Sequence, residues 1–112
     1  MPPSWRMVGR IEDFPAGTGH FVMGPFEKPM ALFNVASQFY ALNWVCPHMG
    51  GPLGAGELDG FSIRCPYHGW TFDVRTGAAD HRGGHWTHAY RVKVEDGMVH
   101  VGWLKNAAAA GE

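Results

Sequence analysis

The sequence predicts a small all-β domain of antiparallel sheets, with its informative residues in two loops. Three observations carry this. Gly (16) and Pro (8) fill 24 of the 112 positions, a content of turn formers that demands short elements and many loops. Asp96-Gly97 separates two alternating runs rich in β-branched residues, at 89–95 and 98–102, which is the strongest hairpin signal in the chain. Asp59-Gly60 precedes a further alternating run at 61–64.

The elements follow in order. Residues 5–11 form a first strand, closed by Asp13-Phe14-Pro15. A short strand at 20–23 ends at Gly24-Pro25. The segment 30–46 lacks Gly and Pro, and Leu32, Val35, Ala36 and Phe39 sit at helical spacing. Asn34, Ser37 and Gln38 in its middle argue instead for a turn between two strands. The hairpin is the favoured reading, and it places Tyr40, Leu42, Trp44 and Cys46 on one face.

Length and composition fit one domain, over residues 1–106, with residues 107–112 as a frayed or weakly helical tail. The net charge is -1 and no basic run stands out, which argues against a nucleic-acid partner. Apolar stretches are broken well short of the roughly 20 residues a membrane helix needs. The N-terminus lacks an apolar signal core, so the expectation is a soluble, cytoplasmic protein. No phosphate-binding glycine loop, dinucleotide fingerprint or nucleophile–base pair is present.

Cys46 and Cys65 are the only cysteines, and each has a histidine close by. The first loop reads Cys46-Pro47-His48-Met49-Gly50-Gly51-Pro52 and the second Cys65-Pro66-Tyr67-His68-Gly69-Trp70, with 16 residues between His48 and Cys65. In extended backbone, Cys46 and His48 point the same way. Cys65 to His68 suits a turn with Pro at its second position. Gly50, Gly51 and Gly69 would let the backbone approach closely and aim amides at an anionic centre. Two thiolates and two imidazoles suit tetrahedral zinc by ligand type, although zinc sites commonly pair Cys with Cys and His with His. A disulfide, or loops without any ligand, are the plainer alternatives.

The pattern C-x-H…C-x-x-H, with these Pro and Gly neighbours, resembles the ligand loops of Rieske iron–sulfur proteins. The similarity runs over residues 5–103. It includes Phe39-Tyr40-Ala41-Leu42, Trp70-Thr71-Phe72-Asp73, Arg75-Thr76-Gly77 and Val94-Glu95-Asp96-Gly97. The resemblance implies a [2Fe-2S] cluster, with Cys46 and Cys65 on one iron and His48 and His68 on the other, nearer the surface. High-potential members carry a disulfide between the loops, where this chain has Gly51 and Tyr67. They also place hydroxyl donors where it has Trp70 and Phe72, so the resemblance implies a low potential. It further implies a free-standing ferredoxin that takes single electrons from a flavin-dependent reductase, gives them to a terminal oxygenase and transforms no substrate itself. The small Rieske-like subunit of an NAD(P)H nitrite reductase is the alternative.

Other residues read more plainly. His81, His85 and His88 lie in a polar loop leading to a strand rather than in a second metal site. Met49, Pro52, Leu53 and Trp70 suggest an apolar rim around the ligands, as shield or docking surface. Trp5, Trp44, Trp86 and Trp103 read as packing, and Glu57, Asp59 and Asp73 as solvated positions.

Overall fold

The computed structural model describes residues 5–47, 50–67, 69–79 and 86–104. The tail expected at 107–112 and the histidines 81 and 85 lie outside them. The architecture is all-β, with two antiparallel sheets. The larger has six strands: β1 (Arg6–Arg10), β2 (Gly19–Met23), β3 (Pro29–Val35), β4 (Gln38–Asn43), β8 (Ala89–Glu95) and β9 (Met98–Leu104). Their order is β1-β9-β8-β4-β3-β2. Its two ends meet where Nη1 of Arg6 donates to the carbonyl of Gly24 at 3.2 Å. The smaller sheet, β5 (Glu57–Asp59), β6 (Ser62–Arg64) and β7 (Thr71–Asp73), is inserted between β4 and β8.

The ambiguous segment is the expected hairpin. β3 and β4 pair from Met30↔Asn43 to Val35↔Gln38 around Ala36-Ser37. Both turn residues have positive φ, 52° and 69°, the geometry that matches strand twist in a two-residue loop. Neither is glycine, so the turn is braced from outside. Oδ1 of Asn34 accepts from the Ser37 amide at 3.0 Å, and its Nδ2 donates to the Phe14 carbonyl at 2.9 Å. Putting Asn at 36 and Gly at 37 (Ala36→Asn with Ser37→Gly) should relieve left-handed strain and stabilise the fold by about 1 kcal/mol in urea melts. A loss of stability would show that the turn is not strained.

The larger sheet buries both faces of its centre. Met30, Leu32 and Ala41 join Val22, Tyr90, Val99 and Val101 on one side. Ala31, Phe33 and Leu42 face the small sheet on the other, with Leu53, Ile63, Phe72, Val74 and both cysteines. Through Cys46 and Cys65, this second layer fixes the two cysteine-bearing loops to the scaffold.

Within the first layer, the Tyr90 hydroxyl is buried and has no hydrogen-bond partner among the described residues. Burial pushes its pKa from 10.0 up to about 12. The native state therefore keeps a proton that the unfolded chain releases, and stability falls as pH rises from 10 towards 12. Tyr90→Phe should remove that alkaline slope and gain about 1 kcal/mol at pH 8, because an unpaired buried hydroxyl disappears. A loss of stability at pH 8 would mean that the hydroxyl has a partner.

Candidate metal centre

The two loops are built on one pattern. In the first, the Cys46 amide donates to the Gly51 carbonyl at 2.7 Å, and the Gly50 amide returns to the Cys46 carbonyl at 2.9 Å. In the second, the Cys65 amide donates to the Trp70 carbonyl at 2.7 Å, and the Gly69 amide returns to the Cys65 carbonyl at 3.0 Å. Gly50 and Gly69 occupy matching places, with φ of 73° and 75°, a region where a side chain is strained. Each turn thus begins Cys-Pro and closes on a left-handed glycine. Histidine stands third in the first turn and fourth in the second, as His48 and His68. These two histidines lie outside the described residues.

One expectation needs correction. The amides of Gly50 and Gly69 do not serve an anionic centre, because each closes its own loop on a cysteine carbonyl. Among the described residues, a main-chain amide does reach a sulfur at Tyr67, which hydrogen-bonds to Cys65. Sequence reasoning missed it, since nothing in a residue type reports where its main-chain N–H points.

Cys46 and Cys65 are free thiols, each 1% exposed. They come within hydrogen-bonding reach of one another, so the fold does bring together the two cysteines that the loops present. Burial pushes the Cys65 thiol above its ordinary range; the Tyr67 amide pulls it back, and the neighbouring Cys46 adds to the rise.

The rim differs from the expectation in part. Leu53 is fully buried and belongs to the core, in a single 3-10 turn (Leu53–Ala55) anchored by its amide on the Trp44 carbonyl at 2.8 Å. Pro52 and Trp70 are half-buried, and Met49 lies outside the described residues. Among the described residues of and beside the loops, the exposed apolar side chains are those of Val45, Pro47, Pro66 and Tyr67. Trp44 packs edge-on against Phe21, and Trp103 against Phe26, as expected of packing residues. Asp73 is not simply solvated. It accepts two hydrogen bonds from the Arg75 guanidinium, at 2.8 and 3.0 Å, and organises the turn behind β7. His88 lies between Trp86, to which its ring is tilted by 53°, and Tyr90, which it meets edge-on. Among the described residues no group of three or more His, Cys, Asp or Glu forms a further metal site.

Comparison with known proteins decides the family. The Rieske [2Fe-2S] domain matches residues 4–95. The chain belongs to the Rieske family. The ferredoxin CarAc of Metapseudomonas resinovorans is 40% identical over 73 residues, 65% of this chain and 68% of that one. The ferredoxin component of the naphthalene 1,2-dioxygenase/salicylate 5-hydroxylase systems of a Ralstonia species is 36% identical, over 70% of this chain and 75% of its own. Rieske neighbours also occur inside larger proteins. A 3-ketosteroid-9-alpha-monooxygenase oxygenase component of Rhodococcus rhodochrous matches at 33% identity over 20% of its length. Among solved structures, a chain of the complex of reduced oxygenase and oxidized ferredoxin in carbazole 1,9a-dioxygenase superposes with a TM-score of 0.80 and 34% identity, covering 88% of this chain and 92% of that one. A nitrite reductase small subunit from Mycobacterium tuberculosis reaches a TM-score of 0.84 at 18% identity, which shows the shared fold alone.

The donor set fits a Rieske [2Fe-2S] cluster. Two buried free thiols lie together, a main-chain amide is on one sulfur, and a histidine stands in each matching loop. When bound, such a cluster supplies a single reversible one-electron couple.

Proposed function

We propose that this chain is the ferredoxin of an oxygenase system, carrying single electrons from a flavin-dependent reductase to a terminal oxygenase. Cys46, His48, Cys65 and His68 are the proposed ligands. The observation that carries this reading is the pair of Cys-Pro turns closed by matching hydrogen bonds, each contributing one buried cysteine, in a chain matching most of the length of two named ferredoxin components.

The residues assign the parts. The second layer of the core holds both turns rigidly on the small sheet. Val45, Pro47, Pro66 and Tyr67 form an exposed apolar surround, suited to brief docking rather than permanent burial. Phe72 is buried and apolar, and Trp70 half-buried, where hydroxyl donors would raise the potential. We therefore place the potential near about −150 mV, at the low end for histidine-ligated clusters. Free thiols suit a reducing compartment, and the cytoplasm is part of the same reading. Among the described residues no helix is long and apolar enough to cross a membrane.

The test is electron paramagnetic resonance of the dithionite-reduced protein, with iron and acid-labile sulfide counted on the same sample. A rhombic signal of low average g with about two irons and two sulfides per chain supports the reading. A silent sample holding one zinc and no sulfide would overturn it.

A further inference from the structure

Tyr67 is 58% exposed, yet its ring is not free. A Cβ built on Gly51 would lie 2.8 Å from Cγ, 2.9 Å from Cδ2 and 3.0 Å from Cδ1 of that ring. Three ring atoms at nearly one distance mean that the ring lies broadly against the glycine. Gly51 belongs to the first loop, where its carbonyl takes the Cys46 amide. Tyr67 belongs to the second, where its own amide serves the Cys65 sulfur. The hydrogen bonds that shape the loops close each loop on itself, and none of those four crosses to the other. Nor does a disulfide join them, since both cysteines are free. Beside the approach of the Cys46 and Cys65 sulfurs, the aromatic face on Gly51 is a contact between described residues that spans the gap.

We propose that Tyr67 and Gly51 form a clasp that holds the two ligand loops together and slows loss of the bound cluster. The proposal rests on the ligand assignment above. Its chemistry is plain: a flat ring covers apolar surface beside the sulfurs, keeps water from them and resists separation of the loops. Only glycine at 51 permits this. Any Cβ there would sit closer to the ring than real contacts allow, and the ring would have to swing outwards. The phenol oxygen has no part in the argument, so phenylalanine should serve equally well. Tyr67 acts here as a positioning residue, because it holds the loops rather than the metal.

The test follows loss of the visible cluster absorption from purified holoprotein in the presence of an iron chelator. Tyr67→Phe should match the parent within about twofold, while Tyr67→Ala should lose its cluster about tenfold faster, the equivalent of uncovering one partly buried ring. Gly51→Ala, with the tyrosine retained, should show the same acceleration. The double variant should be no faster than either single one, because both changes break one contact. Each variant should start with the parental iron content and resonance signal, which separates this proposal from the ligand assignment: a wrong assignment would show in the parent protein itself. Parental rates in both Tyr67→Ala and Gly51→Ala would overturn the clasp, as would effects that multiply in the double variant. If Tyr67→Ala loses its cluster during purification, Gly51→Ala against Tyr67→Phe decides the matter.

Discussion

Replacing His48 and His68 together by alanine will abolish the visible spectrum and the rhombic resonance signal, and iron content will fall from about two per chain towards zero. The physical reason lies in the donor count. Cys46 and Cys65 are one buried pair of thiols, and two thiolates alone leave a second iron without protein ligands. The fold should survive the change, because the apolar layer of Leu53, Ile63, Phe72 and Val74 that carries the small sheet is left intact. Circular dichroism should therefore report parental strand content in a protein without colour. His48→Cys with His68→Cys gives the sharper contrast. Four thiolates can hold a cluster, but the two added negative charges favour the oxidised state, so any surviving potential should move towards about −400 mV. An unchanged spectrum in the double alanine variant would sink the ligand assignment.

How far the sequence discloses this protein depends on where each signal resides. Asp96-Gly97 forces positive φ at both turn positions, 52° and 75°, and the hairpin of β8 and β9 stands where those two residues put it. β3 was harder to read because Met30, Ala31, Leu32 and Phe33 are all buried, alternately on the two sides of the sheet. A strand buried on both faces loses its period of two and resembles a helix segment. The turn after it is Ala36-Ser37, held left-handed by the Asn34 side chain rather than by glycine, so composition alone does not fix its position. β5 and β7 have three residues each, too few to show any period. At the site, the two Cys-Pro turns were legible because cysteine, histidine and glycine are each constrained by chemistry. The Tyr67 amide and the Gly51 contact were not, because they depend on how two distant loops meet.

Leu53 shows the same limit and offers the second large effect. Beside a ligand loop, a leucine reads equally well as docking rim or as core, and the two roles predict opposite results. Leu53→Ala should destabilise the protein by about 3 kcal/mol, as expected when a fully buried leucine leaves a cavity. Against a total of about 5–15 kcal/mol for a small domain, that is a large fraction. The damage should be widest where Leu53 sits, between the two sheets, in the cluster that contains Ala31, Phe33, Ile63, Phe72 and both cysteines. Cluster binding favours the folded state, so the loss should be most visible in protein stripped of iron, and bound cluster should mask part of it. Chemical denaturation of both forms measures this directly. A change below about 1 kcal/mol in the stripped form would return Leu53 to the surface. A loss near the expected size would mean that the small sheet is mortised to the large one through this residue, and that the ligand loops inherit their rigidity from it.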